Sequence, residues 1–310
     1  MARKKITVAG AGNVGATTAF IAAQKQLSDI VLVDILKGLA EGKALDMAQA
    51  GPVCGYDCKI TGTTDWAQTA DSDIVIITSG MPRKPGMSRD DLLAKNTEIV
   101  KSVTEQIVRY SPNSFIIVVC NPLDAMVNAA AIVSGFKKNK IMGMAGVLDT
   151  ARFAYFISEK LGVSVSDIQG VLMGGHGDDM VPLARFTAVS GIPIAELLDE
   201  KTIEDIVQRA RMGGIEVVEL MGTSAYYAPA AGAVKMAEAI LLDKKTVLPC
   251  CAYCDKEYGV GGCFVGVPAL LGAAGVEKVI ELDLNEKEKK EFAVSVEHVK
   301  KLVDKVKKML

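Results

Sequence analysis

The feature that most constrains this chain is a glycine-rich turn that joins a short apolar run to a helical segment. Residues 6–9 are mostly apolar, and the six residues that follow read G-A-G-N-V-G. In this spacing Gly10 makes a tight turn, Gly12 lets a pyrophosphate approach the backbone, and Gly15 packs the helix on the strand. The phosphates of a dinucleotide would then lie at the positive end of a helix.

One carboxylate indicates which dinucleotide this turn would bind. Asp34 ends the second predicted strand, 19 positions after Gly15. A carboxylate at that position accepts hydrogen bonds from ribose hydroxyls and repels a 2′-phosphate. The sequence therefore predicts NAD as the cofactor, in preference to NADP.

The first half of the chain alternates short β-branched runs with helical segments. This alternation predicts an α/β fold with a doubly wound parallel sheet of the Rossmann type, because strands buried on both faces are almost continuously apolar. The predicted strands cover residues 6–9, 30–33, 74–78, 115–120 and 141–144, and the crossover helices cover residues 13–26, 42–50 and 92–109.

The second half has a different pattern and predicts an α+β substrate-binding and catalytic domain. Helices are predicted over residues 149–161, 202–220 and 287–310, strands over 171–173, 186–189 and 247–253, and a stretch rich in small residues over 223–239. A chain of 310 residues exceeds the usual size of a single hydrophobic core. We therefore expect an NAD-binding domain over residues 1–144 and a catalytic domain over residues 145–310.

Charge and hydropathy restrict the partners of the chain. Lys and Arg total 35 against 37 Asp and Glu, so no basic surplus indicates nucleic-acid binding. The apolar stretches end well before 18 residues, which argues against a membrane span. A basic start at residues 3–5 resembles a signal peptide, but the glycines of the turn interrupt the apolar run behind it. We expect a cytoplasmic protein.

Seven cysteines in a chain of this length do not suggest a disulfide framework. Cys251 and Cys254 have the spacing of a metal or redox pair, with Cys250 beside them. They lie in the apolar run 247–253, where a free cysteine behaves as a small hydrophobic residue. We predict no metal site, with zinc or redox chemistry at this cluster as the open alternative.

One of the two histidines lies in a turn rich in glycine. His176 is the fourth residue of the motif M-G-G-H-G-D, so a small ligand can reach its ring. Histidine exchanges protons near neutral pH, although a lone histidine is more often a structural residue of a core or a turn. The second, His298, lies in the charged closing helix and is assigned no role.

Several further motifs accompany this histidine: L-D-T-A-R-F at residues 148–153, N-P-L-D at 121–124, M-P-R-K-P-G-M-S-R-D at 81–90 and G-T-S-A-Y-Y-A-P-A at 222–230. In this order and spacing they resemble the lactate/malate dehydrogenase family. Within it the chain is most similar to the bacterial malate dehydrogenases that are lactate-dehydrogenase-like in sequence. The resemblance extends over essentially the whole chain.

The resemblance implies a role for each motif. His176 would exchange a proton with the substrate oxygen, and Asp149 would hold the other ring nitrogen. Arg152 would grip the C1 carboxylate, Arg89 would polarise the carbonyl, and Asn121 would contact both the carbonyl oxygen and the nicotinamide ribose. The cofactor groove would further be lined by Asn13, Val14, Thr78, Gly80, Asn96 and Val119.

These implied roles fit the chemistry of reducing a 2-oxo acid. The proton donor needs a pKa near ambient pH, which an imidazole backed by a carboxylate provides. A cation aimed at the oxygen stabilises the negative charge that develops there, and a guanidinium holds a carboxylate through two parallel hydrogen bonds.

The choice of substrate depends on Arg83. The resemblance places it on the loop that closes over the C3 group, where lactate dehydrogenases typically have Gln and malate dehydrogenases have Arg. Oxaloacetate would pair its second carboxylate with Arg83, whereas pyruvate would leave the guanidinium enclosed without a partner, at a cost of roughly 3–5 kcal/mol. Lys84 lacks the guanidinium fork. We therefore predict malate and oxaloacetate as substrates.

Three alternatives stay open at this point. A lactate dehydrogenase is the nearest, and a hydroxyisocaproate-type dehydrogenase would leave Arg83 without a partner. A non-catalytic NAD-binding protein would be expected to lack His176, Asp149 or Arg152, and all three are present. The resemblance also implies a homo-oligomer, with a tetramer favoured over a dimer.

Overall fold

The computed structural model describes residues 3–82 and 88–310, so Arg83 and Lys84 lie outside the described residues. The first half contains six strands and four helices: β1 (Lys5–Ala9), α1 (Asn13–Gln24), β2 (Asp29–Val33), α2 (Leu39–Cys54), β3 (Ile60–Thr63), β4 (Ile74–Ile77), α3 (Arg89–Tyr110), β5 (Phe115–Val118), α4 (Leu123–Ser134) and β6 (Ile141–Gly143).

The six strands of the first half form one parallel sheet. Its order is β3-β2-β1-β4-β5-β6, with helices crossing over between neighbouring strands. Ile6, Ile30, Ile74 and Ile116 are almost completely buried, as expected for strands covered on both faces. The predicted Rossmann fold is confirmed. β3 was not predicted, because only one residue of its short edge strand is fully buried.

The second half begins with the helix that follows β6. Its elements are α5 (Gly146–Leu161), β7 (Ile168–Gln169), β8 (Leu172–Gly174), β9 (Met180–Pro182), β10 (Ala188–Val189), β11 (Ile192–Pro193), α6 (Ile194–Leu197), α7 (Glu200–Met221), α8 (Tyr227–Leu241), β12 (Thr246–Cys254), β13 (Cys263–Gly272), β14 (Gly275–Val279) and α9 (Glu286–Met309).

The sheet of the first half continues into the second half through antiparallel strands. β12 pairs with β6 at Cys251 and Gly143, and the long hairpin β12–β13 then leads to β8 and β9. The turn between β8 and β9 contains His176, so the end of this sheet positions the candidate catalytic group. The division into domains at residues 144 and 145 stays a prediction.

One prediction for the second half needs correction, and one helix was not predicted. The strand expected over residues 186–189 is a 3-10 turn at Ala184–Phe186 followed by the two-residue strand β10. The small-residue stretch 223–239 contains most of α8, which the apolar pattern alone did not predict. Gly232 explains part of this composition, since a Cβ there would lie 3.0 Å from the Met144 Sδ. Position 232 of α8 therefore packs closely against Met144, the residue that follows β6, and favours a small residue.

Reciprocal side-chain caps fix the starts of α3 and α9. Ser88 and Asp91 form a reciprocal capping box at α3, and Asn285 and Glu288 form another at α9. Within the described part of the chain, no helix has the length and apolar character needed to cross a bilayer.

Candidate active site

The glycine turn and Asp34 are joined by a direct contact. Asp34 Oδ2 accepts the Ala11 N–H at 2.6 Å, and Oδ1 accepts the Leu36 N–H at 2.9 Å. Each carboxylate oxygen keeps a further lone pair, so the group can still accept hydroxyl donors. Asp34 therefore has a structural role, because it holds the glycine turn in place. This role is additional to the ribose contact that the sequence predicts.

The backbone of the turn requires glycine at two positions. Gly10 has a φ of +105°, which side chains rarely adopt. A Cβ on Gly15 would lie 1.8 Å from the Gly10 oxygen, so no side chain fits there. A Cβ on Gly12, in contrast, would contact no atom within 4 Å, so the backbone at Gly12 faces open space.

The start of α1 has the features of an anion site. Gly12 provides no side-chain cap, and the first helical hydrogen bond is donated by Ala16 to the Gly12 oxygen. The amides of Asn13, Val14 and Gly15 therefore have no partner within the helix. Together with the open space at Gly12 and the carboxylate of Asp34, these amides fit the pyrophosphate and ribose of a dinucleotide.

Two other predicted cofactor residues support the walls of the groove. The Thr78 hydroxyl contacts the oxygens of Ala9 and Gly10 at 3.0 and 3.1 Å, which ties β4 to the glycine turn. Asn96 is buried; its Oδ1 accepts the Met81 N–H at 2.7 Å, and its Nδ2 donates to the Asn121 oxygen at 2.6 Å. The amide of Asn96 thus holds two loops together, and its contact with a cofactor stays a prediction.

The structure also places the remaining groove residues. Gly80 is exposed, and a Cβ there would lie 2.9 Å from the Cys120 Cβ. Val119 is half-buried at the end of β5, and its N–H donates to the Ile77 oxygen. Asn121 is exposed two positions later, just before α4. All three lie at the carboxyl ends of parallel strands, the edge at which open α/β sheets bind ligands.

His176 lies beside Asp149 and Arg152 of α5, although 27 residues separate it from Asp149 in the sequence. His176 Nδ1 is 2.8 Å from Asp149 Oδ2, and Arg152 Nη1 is 3.6 Å from Asp149 Oδ1. Asp149 and Arg152 are three residues apart on α5, which places them on one helical face. The side chains of His176 and Arg152 are each 16% exposed, so both are sheltered while remaining reachable.

The electrostatics of this group favour a protonated ring. Burial lowers the proton affinity of His176, but the Asp149 carboxylate, its hydrogen bond and the charge of Asp124 outweigh burial and the repulsion by Arg152. The net effect raises the pKa of His176 above its ordinary value. An imidazole in this setting can give a proton to a substrate oxygen near neutral pH.

Arg152 packs against α7 at two consecutive glycines, so no side chain of that helix lies at the contact. A Cβ on Gly213 of α7 would be 3.1 Å from the Arg152 Cδ, and one on Gly214 would be 3.6 Å from Nη2. Glycine within a helix costs roughly 0.5–1 kcal/mol relative to alanine. These two glycines therefore provide space for the guanidinium, a role that the sequence analysis missed.

Arg89 is the first residue of α3, and its Nη2 lies 3.4 Å from Asp178 Oδ2, two positions after His176. Both side chains are largely exposed. The predicted partner for a second carboxylate, Arg83, lies outside the described residues.

A buried carboxylate beneath His176 was also missed. Asp124 Oδ2 accepts the main-chain N–H of His176 at 2.8 Å, and Asp124 is only 5% exposed. The sequence contained one signal, an acidic residue inside the otherwise apolar start of α4.

The cysteine cluster lies in the core of the hairpin. Cys250, Cys251, Cys254 and Cys263 are buried free thiols, and burial raises the pKa of Cys250 and Cys254 to about 12. Among the described residues, no group of three or more His, Cys, Asp or Glu side chains could hold a metal ion. The burial of these thiols agrees with their interpretation as small hydrophobic residues.

Each half of the chain matches a family model of known proteins. Residues 4–143 match the family model for the lactate/malate dehydrogenase NAD-binding domain, and residues 146–310 match the model for the lactate/malate dehydrogenase alpha/beta C-terminal domain. A malate dehydrogenase of Salinibacter ruber is 58% identical over 301 residues, which cover 97% of this chain and 96% of that protein.

Solved structures agree with this similarity. The malate dehydrogenase of Picrophilus torridus superposes with a TM-score of 0.97 at 47% identity, covering 99% of this chain and 98% of that one. A lactate dehydrogenase of Cryptosporidium parvum, solved with lactic acid and nicotinamide adenine dinucleotide, gives 0.96 at 43% identity over 99% of both chains. The backbone fold is therefore shared by proteins with both activities.

Proposed function

The chain belongs to the lactate/malate dehydrogenase family, and we propose that it is an NAD-dependent malate dehydrogenase. It interconverts (S)-malate and oxaloacetate, with transfer of a hydride and a proton. The observation that carries the proposal is the contact of His176 with Asp149 beside Arg152. The relatives named malate dehydrogenase support the choice of this activity.

The residues of the first half fit the cofactor NAD. Asp34 would accept the ribose hydroxyls, and the free amides at the start of α1 would bind the pyrophosphate. NADH, when bound, supplies the hydride for the carbonyl carbon of oxaloacetate. The negative charge of Asp34 would disfavour the 2′-phosphate of NADP.

His176 moves the proton. In the reduction its protonated ring gives a proton from Nε2 to the oxygen that becomes the malate hydroxyl, while Nδ1 stays bonded to Asp149. In the oxidation the neutral ring takes that proton back. Asp149 fixes the tautomer and the orientation of the ring, and it stabilises the charged form.

Arg152 and Arg89 bind and polarise the substrate. Arg152 would hold the C1 carboxylate through its two terminal nitrogens, in a sheltered place where a charge-assisted pair is strong. Arg89 would stabilise the charge that develops on the carbonyl oxygen, together with Asn121. Arg83 would pair with the second carboxylate and so favour oxaloacetate over pyruvate.

A comparison of two substrates tests this assignment. NADH absorbance would follow the reduction of oxaloacetate and of pyruvate by the unaltered chain and by Arg83→Gln. We expect the unaltered chain to prefer oxaloacetate by about 10²- to 10³-fold in kcat/KM, which corresponds to the cost of an unpaired guanidinium. Arg83→Gln should lose most of that preference. A preference of the unaltered chain for pyruvate would show a lactate dehydrogenase instead.

We also propose a cytoplasmic homo-oligomer, with a tetramer favoured over a dimer. A row of exposed apolar side chains on α7 supports self-association, namely Met212, Ile215 and Val218 at helical spacing. The free thiols of all seven cysteines fit a reducing compartment. Sedimentation equilibrium of the purified chain would give the mass, and a monomer at micromolar concentration would contradict the proposal.

A further inference from the structure

The turn that contains His176 is held by side chains from two distant helices. We use the name histidine loop for residues 174–179, between β8 and β9. Two consecutive amides of this loop donate to side chains: Gly175 N–H to Ser295 Oγ and His176 N–H to Asp124 Oδ2, both at 2.8 Å. Ser295 comes from α9 and Asp124 from α4.

The burial of the Asp124 carboxyl group is destabilising by itself. Asp124 is 5% exposed; its other oxygen, Oδ1, is buried without a nitrogen or oxygen donor among the described residues, and beside this carboxylate lies the Cys251 thiol, a weak donor. A buried carboxyl group with an unpaired oxygen destabilises a fold unless a specific contact compensates for it. Burial raises the pKa of Asp124, whereas the His176 amide and ring oppose that rise. The hydrogen bond from the His176 N–H is the contact that compensates for the burial of Asp124.

Ser295 of α9 forms hydrogen bonds with both ends of the histidine loop. Its hydroxyl accepts the Gly175 N–H and donates to the Asp179 oxygen at 2.6 Å, so one group joins both ends of the loop. The fit leaves little room for side chains at the two glycines before His176. A Cβ on Gly174 would lie 2.7 Å from Ser295 Oγ, and one on Gly175 would lie 3.0 Å from the Val299 Cγ2. The glycines before His176 therefore allow α9 to approach the loop.

We propose that Asp124 and Ser295 are positioning residues that brace the histidine loop from α4 and α9 and thereby aim the His176 ring at Asp149 and the substrate. This role rests on the proposed dehydrogenase function and adds two residues to it. Neither side chain needs to contact substrate or cofactor. A displacement of the reacting group by about 1 Å costs on the order of 10²-fold in rate. Loss of either brace should therefore affect turnover more than cofactor binding.

Three variants separate position from charge. Asp124→Ala removes the acceptor and the charge, Asp124→Asn keeps an oxygen that can accept the His176 N–H, and Ser295→Ala removes no charge. We expect Asp124→Ala and Ser295→Ala to lower kcat for oxaloacetate by about 10- to 100-fold, with KM for NADH within about 2-fold. Asp124→Asn should recover most of that loss. Ser28→Ala is the matched control, because the Ser28 hydroxyl is buried, has no hydrogen-bond partner in the described part of the chain and makes none of the histidine-loop contacts given above.

A titration of the histidine rings tests the braces without any turnover. The chain has only two histidines, so the His176 carbon-13 signals can be assigned by their loss in His176→Gln. This variant keeps His298, whose Nδ1 lies 2.8 Å from Asp179 Oδ1 of the loop. The charged groups that face the His176 ring are Asp149 and Arg152 from α5 and Asp124 from α4. The pKa of His176 should fall in Ser295→Ala, because a loosened loop weakens the bond to Asp149. It should fall in Asp124→Asn as well, because a negative charge is lost.

The outcomes are distinguishable. If Ser295→Ala and both Asp124 variants keep the turnover and the His176 titration of the unaltered chain, the proposed braces are wrong. If Asp124→Ala does not fold, Asp124→Asn and Ser295→Ala still test the proposed braces, through their turnover and their His176 titration. If the unaltered chain does not reduce oxaloacetate, the proposed function fails, and the titration alone tests the braces.

Discussion

Asp149 contacts two catalytic candidates at once: Oδ2 lies 2.8 Å from His176 Nδ1, and Oδ1 lies 3.6 Å from Arg152 Nη1. One buried carboxylate therefore orients both the proposed proton donor and the group that would bind the substrate carboxylate. The relationship explains why a histidine and an arginine can lie close together in a sheltered site, since the negative charge between them reduces their repulsion.

The pH dependence of activity follows from this contact. In the proposed mechanism the reduction of oxaloacetate needs protonated His176, and the folded chain raises the pKa of that ring. The reduction rate should therefore persist above pH about 6.5, the ordinary histidine value, and decline as pH rises through the higher pKa. Malate oxidation should rise over the same interval. Any stability due to the raised pKa is likewise complete below about 6.5 and lost as pH rises through the folded value.

Asp149→Asn checks the cause of that shift. Without the carboxylate the pKa of His176 falls, so the decline of oxaloacetate reduction should move to lower pH and kcat should fall by about 10²-fold or more. Profiles of kcat/KM against pH would measure both effects. An unchanged profile would mean that Asp149 does not control the proton affinity of the ring.

Gly213 should matter for substrate binding more than for folding. In Gly213→Ala the new Cβ would press on the Arg152 Cδ at 3.1 Å, while the helix gains roughly 0.5–1 kcal/mol in propensity. We expect an unchanged or higher Tm together with a KM for oxaloacetate raised several-fold, by about the 1 kcal/mol of a strained contact. Gly42→Ala is the matched control, because a Cβ there meets open space in α2. An equal KM effect in both variants would refute the contact with Arg152.

Asp34 should determine both the affinity for NADH and the discrimination against NADPH. Asp34→Ala removes the proposed ribose acceptor and leaves the Ala11 N–H without its 2.6 Å partner. Loss of a hydrogen bond to a charged group corresponds to roughly 1.5–3 kcal/mol, so KM for NADH should rise by about 10-fold or more. The ratio of kcat/KM for NADH over NADPH should fall. A variant that retained the full preference for NADH would contradict the role of Asp34.

The ion pair between Arg89 and Asp178 should lower kcat/KM for oxaloacetate only slightly. Both side chains are largely exposed, and such pairs contribute about 0.2–1 kcal/mol. If Arg89 must leave Asp178 to reach the substrate, Asp178→Asn should raise kcat/KM for oxaloacetate by at most about 5-fold at low salt. The gain should vanish at 1 M salt, where exposed charges are screened. A large loss of activity would give Asp178 a different role.

Local signals predicted most of the fold, and long-range contacts account for what they missed. The apolar runs indicated five of the six parallel strands, but the β3 sequence I-T-G-T shows no apolar run. Gly62 in that strand is needed because a Cβ would lie 2.1 Å from the Ala40 oxygen, a contact invisible in sequence. Asp124 belongs to the motif N-P-L-D but was assigned no role, and Ser295 belongs to no motif, because they meet the histidine loop across 52 and 120 residues. The motifs themselves were recognisable because the spacing within each of them is local.

The central claim is that His176 transfers the proton, and His176→Asn tests it most directly. Oxaloacetate reduction by this variant would be followed by NADH absorbance, with NADH affinity measured separately by fluorescence. Loss of a positioned general acid should lower kcat by about 10²- to 10⁴-fold while NADH affinity stays within about 2-fold. Turnover within a few-fold of the unaltered chain would contradict the account.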